Sequence, residues 1–232
     1  MKVNTLYEYR DAFNISGRLE GNSDDYVLVH SHHDAAFEGA VQDASGISEM
    51  LAVAKYFANI PKEERKRSMM FAAVDTHFTD YAANEAFVRK RQAEGDKVII
   101  DLAIEHIGKE TAFDDNYNLY ETGEVEPRLF YVSSPELYDF VRETIEAYNI
   151  TKSLIALVPK GKGLDHEYEF HQDEVISDAY YWNESGVPVV SMVCGEQYLF
   201  HISDRPDRIP VEELKPVGMA FAEIALEAME VL

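Results

Sequence analysis

Histidine and carboxylate side chains, the residue types that bind transition metals, recur after the predicted buried strands of this sequence. They stand in His30-Ser31-His32-His33-Asp34, in Asp75-Thr76-His77, in Glu105-His106 and in His201-Ile202-Ser203-Asp204, with Asp43 between the first two segments. Each segment alone is a weak signal, because a histidine at a strand end is usually a hydrogen-bonded polar residue. Their repeated placement after strands predicts one shared metal site.

The spacing of the first segment suits a metal ligand and its support. Residues i and i+2 of a strand lie on the same face. Asp34 can therefore hold one ring nitrogen of His32 while the other nitrogen binds a metal. The two carboxylate oxygens of Asp43 could bridge two ions about 3.5–4 Å apart, as in two-metal catalytic sites.

We expect structural roles for three further histidines and three aromatic residues. We expect the imidazoles of His30, His33 and His106 to alternate away from the metals. The aromatic residues Tyr180, Tyr181 and Trp182 are expected to pack in the core rather than line a pocket.

The elements that would position these side chains alternate along the chain. Apolar runs at 26–29, 68–74, 98–104, 154–158 and 187–193 indicate buried strands. Amphipathic stretches near 47–57, 79–92, 134–149 and from 210 onward indicate helices. This alternation predicts an α/β fold, a three-layer αβα sandwich with a mixed, mainly parallel sheet. The carboxyl edge of such a sheet is where sites form, and residues 159–175 read as a long loop.

Composition narrows the class of protein. The 232 residues predict a single domain over 1–232, or two small ones at most. With 43 acidic against 21 basic residues, the formal net charge of -22 argues against nucleic acid and membrane surfaces as partners. A lone cysteine, Cys194, allows no internal disulfide. The first residues lack the apolar core of a signal peptide, so we expect a cytoplasmic protein.

Several segments in order resemble the di-zinc aminopeptidase family. This family includes bacterial leucyl aminopeptidases, glutamate carboxypeptidase, glutaminyl cyclase and the inactive transferrin-receptor ectodomain. The similar segments are 14–21, 25–29, 32–34, 43–46, 98–108, 177–188 and 200–209. The resemblance covers about residues 14–232 and implies a zinc-dependent hydrolase that acts on a small peptide or amide.

The resemblance also implies which residues bind metal. One or two zinc ions, or another transition metal, would be held by five ligands: His32 and Glu105 for one ion, His77 and His201 for the other, and Asp43 between them. Asp34 would support His32 rather than bind.

The sequence departs from the family where the family has two consecutive glutamates, the first a general base and the second a zinc ligand. Here these positions are Thr76 and His77. Histidine still binds zinc, but a threonine hydroxyl cannot act as a base at neutral pH. A displaced base could be Asp75, if the strand continues, or His166 or Glu167 in the charged loop.

Three functional readings remain open from the sequence. The first is a metal-dependent hydrolase with an atypical active site. The second is a catalytically inactive homologue used for binding or assembly. The third is metal-dependent chemistry of another kind, such as a lyase or cyclase step. Retention of so many ligand-type residues at one sheet edge favours a protein that binds metal. Assembly into a homo-oligomer is compatible with all three.

Overall fold

A computed structural model describes residue 6 and residues 8–165, 174–195 and 197–232. The strands are β1 (Ile15–Leu19), β2 (Tyr26–His32), β3 (Ser68–Val74), β4 (Val98–Glu105), β5 (Lys109–Phe113), β6 (Leu119–Val125), β7 (Arg128–Val132), β8 (Ser153–Leu157) and β9 (Val189–Cys194). The helices are α1 (Gly46–Ala58), α2 (Ala82–Ala93), α3 (Pro135–Ala147), α4 (Tyr180–Glu184) and α5 (Val211–Val231).

The main sheet has the strand order β1-β3-β2-β4-β9-β7-β8. β2 is parallel to β3 and to β4, and β4 is parallel to β9. β1 and β7 run antiparallel to β3 and β9, while β7 and β8 are parallel. The predicted mixed, mainly parallel sheet is confirmed. The separate hairpin of β5 and β6 had no clear signal in the sequence.

Each face of the sheet is covered by its own apolar cluster, which makes three layers. Val27 and Val29 of β2 face a cluster with α1, α3 and α5. Tyr26 and Leu28 face the opposite cluster, which contains Phe87 of α2 and Trp182 of α4. This strict alternation along β2 is what a strand buried on both faces requires.

The order of the central strands decides where the site lies. β3, β2 and β4 are neighbours and run in the same direction, so their carboxyl ends meet at one edge. In the described part of the chain, no helix combines the length and apolar composition needed to cross a membrane.

A carboxyl group is buried where α1 packs on α5. Glu49 is 3% exposed, and its Oε2 atom has no hydrogen-bond partner among the described residues. The glycine at position 218 leaves room for this atom, because a Cβ there would collide with it. Burial raises the pKa of Glu49 to about 8.

We expect the Glu49→Gln variant to lose less stability than wild type as the pH rises. The raised pKa means that the folded chain holds a proton that the unfolded chain releases above its ordinary pKa. Glu49 therefore stabilises the fold at low pH, and this contribution is lost as the pH rises through about 8. One unit of pKa difference corresponds to about 1.4 kcal/mol. Urea unfolding between about pH 5 and about pH 9 measures the difference.

Glu212→Gln is the matched control for this prediction, since Glu212 is an exposed glutamate in the first turn of α5. It should follow the wild-type curve. Equal losses of unfolding free energy in wild type and Glu49→Gln would show that Glu49 does not carry the pH dependence.

Candidate metal centre

Three parallel strands deliver the central ligand candidates. β2 ends with His32, and β4 ends with Glu105. β3 ends at Val74, which pairs with His32 in register, and the chain then turns into Thr76 and His77. Asp43 joins them from the irregular turn Ala40–Ser45 that leads into α1. The predicted shared position after strands thus brings these side chains to one edge.

Three imidazoles lie against one another at this edge. The rings of His32 and His77 stack with centroids 4.0 Å apart. The Nε2 atoms of His32 and His106 are 3.3 Å apart. One ring nitrogen from each of the three histidines lies within 4.8 Å of the others. Neutral imidazoles this close can share one transition-metal ion once the stacked rings turn so that their in-plane nitrogens converge.

A second group of ligand atoms shares His77. Its Nδ1 atom is 3.1 Å from Asp178 Oδ1 and 3.9 Å from Glu105 Oε2. The Asp178 backbone N–H donates to Glu105 Oε1 at 2.8 Å. The three ligand atoms of His77, Glu105 and Asp178 also lie within 4.8 Å of one another, so His77 joins the imidazole group to a pair of buried carboxyls.

The expectation that His106 points away from the site is wrong. Strand alternation would have turned it to the opposite side from Glu105, but β4 ends at Glu105, and His106 has a positive φ of 58°. The left-handed residue breaks the alternation. Burial and the neighbouring His32 and His77 hold the pKa of His106 well below its usual range.

The other two histidines of the same prediction have partners elsewhere. Buried His30 pairs with Asp101 of β4, with His30 Nε2 3.0 Å from Asp101 Oδ1. His33 is exposed, and its Nε2 atom donates to the Phe13 carbonyl at 2.8 Å. Neither belongs to a group of ligand atoms found among the described residues.

Asp43 is buried and already holds several hydrogen bonds. Its Oδ1 atom accepts the N–H groups of Gly46 and His106, both at 3.0 Å. Its Oδ2 atom accepts the Ser31 hydroxyl and lies 3.9 Å from His32 Nε2. Burial raises the pKa of Asp43 to about 6, although the charge of His32 and these bonds oppose the rise.

Asp34 contacts the two stacked histidines, with its backbone carbonyl rather than its carboxylate as the nearer partner of His32. His32 Nδ1 donates to the Asp34 carbonyl at 2.9 Å and is 3.4 Å from its Oδ1. The Asp34 carboxylate accepts the backbone N–H groups of His77 and Phe78. Burial lowers the pKa of His32, but the hydrogen bond with Asp34 and the charges of Asp43 and Asp178 outweigh it and raise the pKa to about 9.

Asp75 and Thr76, the two residues before His77, bond to backbone N–H groups and not to the histidine cluster. β3 does not continue past Val74, and Thr76 has a φ of 69°, so Asp75 does not share a strand face with His77. The Asp75 carboxylate instead accepts the N–H groups of Phe13 and Thr76. The Thr76 hydroxyl accepts the N–H of Ala83 at the start of α2. Asp75 as a displaced base is therefore not supported by the geometry.

His201 is not brought into the cluster. Its imidazole is exposed, and its Nδ1 atom contacts the Ser203 hydroxyl. The same segment is anchored nearby, because the Asp204 carboxylate accepts the N–H groups of Val41 and Gln42. The structure thus joins four of the five ligands that the resemblance implied and leaves the fifth outside. His166 and Glu167 lie outside the described residues.

A cavity of about 600 Å³ adjoins His77. Aromatic rings dominate its wall, with Phe78, Tyr81, Tyr180, Tyr181 and Phe200 among the lining residues. Of the three aromatic residues expected in the core, Trp182 is buried there and Tyr181 packs against the same cluster; Tyr180 and Tyr181 also line this cavity. The cavity gives an organic molecule access to the cluster.

The donor set fits a transition metal such as zinc. It combines buried imidazoles with carboxyls, and Glu105 Oε2, Asp178 Oδ2 and His106 Nδ1 have no hydrogen-bond partner among the described residues. Imidazole nitrogens and carboxylate oxygens are the ligands that zinc takes in proteins; His106 faces the other rings through Nε2. Sequence reasoning missed His106 and Asp178. Both stood in segments already noted, but no periodicity could show that their side chains turn to this edge.

Comparison with known proteins bears on the fold and the family. A family model described as Peptidase family M28 matches residues 14–225. No curated protein matches the chain.

Solved structures share the fold at low sequence identity. The LapA aminopeptidase of Legionella pneumophila has a TM-score of 0.66 at 14% identity, over 94% of this chain and 59% of that one. Porphyromonas gingivalis glutaminyl cyclase has a TM-score of 0.66 at 15% identity, over 92% of this chain and 77% of that one. An aminopeptidase from Aneurinibacillus sp. strain AM-1 has a TM-score of 0.62 at 15% identity, over 93% of this chain and 47% of that one. The chain thus spans just over half the length of LapA.

Proposed function

From the premise that this chain belongs to peptidase family M28, we propose that it is a metal-dependent hydrolase of a small peptide or amide with an atypical active site. The observation that carries the proposal is the cluster of His32, His77 and His106 with Glu105 and Asp178. It lies beside the aromatic-walled cavity that His77 helps to line.

His32 and His77 are the central metal-binding residues in this proposal. Each has one ring nitrogen engaged, His32 with the Asp34 carbonyl and His77 with Asp178. These contacts fix the ring orientation and leave the other nitrogen for an ion. A bound zinc would polarise the amide carbonyl and activate a water molecule.

Glu105 is the group that we assign to proton transfer, in place of the glutamate that Thr76 replaces. Asp34 and Asp43 are held mainly by backbone N–H groups, and Asp178 holds the His77 ring through Oδ1, although its Oδ2 atom has no partner among the described residues. Glu105 Oε2 has no partner among the described residues. Burial and the charges of Asp178 and Asp43 raise the pKa of Glu105 well above its usual range, so this carboxyl takes up a proton more readily than an exposed one does.

The cavity wall indicates the kind of substrate. Aromatic rings provide apolar surface for a flat or apolar substituent next to the amide. The carboxylate of Asp80 also lines the cavity and could meet a substrate amine. A small apolar amide or a short peptide with an aromatic residue is therefore the substrate class that we propose.

We expect the Phe200→Ala variant to bind such substrates more weakly. Phe200 lines the cavity, and its ring packs on Phe78 with centroids 5.1 Å apart. Its loss removes apolar contact in the ground state and transition state alike, so KM should rise about tenfold with kcat little changed. Phe113→Ala is the control, since Phe113 is equally exposed but lies on β5. A fall in kcat at unchanged KM would contradict this assignment of the cavity.

A second candidate is cyclisation of a substrate with release of ammonia. It is favoured by Thr76, whose hydroxyl is bound to the Ala83 N–H and does not activate water. A substrate amine that attacks its own side-chain amide needs no activated water. The structural likeness to glutaminyl cyclase from Porphyromonas gingivalis is compatible with either chemistry, since it shows the fold alone.

Product analysis tests the proposal and separates the candidates. Purified protein loaded with zinc is incubated with aromatic amides, dipeptides and an N-terminal glutaminyl peptide. Hydrolysis releases a new amine and acid, whereas cyclisation releases ammonia and leaves a ring. We expect hydrolysis of small amides. On ordinary peptide and anilide substrates we expect turnover below the usual enzyme range of about 1–10³ s⁻¹, and absence of every product would support the inactive homologue.

A further inference from the structure

We propose that one transition-metal ion binds through the imidazoles of His32, His77 and His106, with His106 as the third ligand and without His201. The inference rests on the proposed function only in that both require a metal. It differs from the ligand set implied by the family resemblance, which includes His201 and gives His106 no role.

The distance between two of the imidazoles matches a shared ion. His32 Nε2 and His106 Nε2 are 3.3 Å apart. Zinc binds histidine nitrogen at about 2.0–2.1 Å with tetrahedral geometry, which puts two ligand nitrogens about 3.3–3.4 Å apart. A ring nitrogen of His77 lies within 4.8 Å of the other two, and because the His77 ring stacks on His32 at 4.0 Å and 13°, it has to turn for its in-plane lone pair to reach the same ion. A direct hydrogen bond between the two rings would use the same distance, and the experiment below separates the two.

The outer contacts of His32 and His77 are arranged as in metal sites, whereas His106 Nδ1 has no partner among the described residues. His32 Nδ1 donates to the Asp34 carbonyl at 2.9 Å, so the lone pair of the neutral ring lies on Nε2, where an ion takes the place of a proton. His77 Nδ1 lies 3.1 Å from Asp178 Oδ1. Histidine ligands almost always have such a partner on the other ring nitrogen, which fixes the tautomer and the orientation of the ring.

Asp43 is poorly placed to bridge two ions. A bridge needs a free lone pair on each carboxylate oxygen, and each oxygen has about two. Oδ1 already accepts two backbone N–H groups, those of Gly46 and His106. Oδ2 accepts the Ser31 hydroxyl and retains one free position. With one oxygen fully used, Asp43 supports the turn around the site, and the centre holds a single ion.

A site of three neutral nitrogen ligands has a predictable preference. Imidazole suits zinc, copper, nickel and iron, whereas magnesium and calcium prefer oxygen ligands. Replacing the family's second glutamate by His77 removes a negative ligand, and recruiting His106 adds another neutral one. We therefore expect binding of zinc or cobalt and little binding of magnesium.

Metal titration of the full chain tests this assignment without measuring activity. The protein is stripped with a chelator and titrated with Co²⁺, with calorimetry for stoichiometry and affinity and visible absorption for the coordination of the ion. The variants are His106→Gln, His106→Ala and His201→Ala, with His33→Ala as control, since His33 is an exposed histidine next to His32. Circular dichroism confirms that each variant is folded.

We expect one equivalent of Co²⁺ in wild type, with the absorption of a tetrahedral site. Both His106 variants should bind at least about tenfold more weakly, whereas His201→Ala and His33→Ala should stay within about twofold of wild type. Two tight equivalents in wild type, or loss of binding in His201→Ala with retention in His106→Gln, would overturn the proposal. If both His106 variants unfold, the wild type and His201→Ala decide. The proposal is overturned if the wild-type Co²⁺ spectrum lacks imidazole character or if wild type binds a second equivalent of Co²⁺ tightly. It is supported if His201→Ala still binds one equivalent of Co²⁺ in a tetrahedral site.

This outcome is separable from that of the proposed function. A chain that binds one ion through His106 and turns over no substrate would refute the hydrolase and leave the metal site intact. A chain that hydrolyses amides only with metal, and whose His106 variants bind metal as wild type does, would refute the metal site proposed here and leave the hydrolase intact. Absence of binding in wild type would refute both.

Discussion

His77→Ala should abolish metal binding and amide hydrolysis together. His77 is the residue that the two groups of ligand atoms share, one with His32 and His106 and the other with Glu105 and Asp178. Its removal breaks both groups, so no alternative set of ligands remains among these residues. We expect at least a 100-fold loss in metal affinity, which exceeds the 10–100-fold that loss of an outer contact costs.

The measurement for this variant combines metal affinity, turnover and the thermal shift caused by zinc. A ligand that binds only the folded state raises its stability by an amount that grows with concentration over Kd. Zinc should therefore raise the Tm of wild type and of the control His33→Ala and leave that of His77→Ala unchanged. Normal zinc binding by a folded His77→Ala variant would remove His77 from the centre.

Glu105→Gln should reduce kcat by about 10²–10⁴ and leave metal binding intact. The glutamine can still accept the Asp178 N–H through its oxygen, the bond that Glu105 Oε1 makes at 2.8 Å. It cannot take up or return a proton, and loss of a general base costs a factor of this size. KM should change little, because the cavity wall is unaltered.

The control for Glu105→Gln is Glu124→Gln, a substitution of an exposed glutamate on β6. It should leave kcat and zinc content unchanged. If Glu105→Gln instead loses the ion, then Glu105 is a ligand, as the family resemblance implied, and proton transfer must be assigned to another group. Wild-type kcat in a zinc-loaded Glu105→Gln variant would exclude both roles.

The fold could be predicted from the sequence because its signals are local and periodic. Apolar runs such as 68–74 and 98–104 are buried strands in the structure as well. The placement of His32 and Glu105 at one sheet edge followed from the parallel order alone. A strand fixes its side-chain directions by alternation, so residues inside a strand could be assigned to a face.

Prediction failed where the chain leaves the strands. Thr76 and His106 both have positive φ, and a single left-handed residue redirects the side chains around it. That change put His106 into the cluster and turned Asp75 towards Phe13. Asp178 reaches His77 across 101 positions of sequence, a contact that no local pattern encodes. The atypical parts of this site are therefore the parts that only the tertiary structure reveals.

Hydrolysis measured against added zinc tests the account most directly. The stripped chain is assayed on the best small amide while zinc is added in fractions of one equivalent. We predict no turnover without metal, a linear rise and a plateau at one zinc per chain, because Asp43 is occupied and one imidazole cluster holds the ion. A plateau at two equivalents, turnover that survives chelation, or no turnover of any amide at any zinc level would contradict the account.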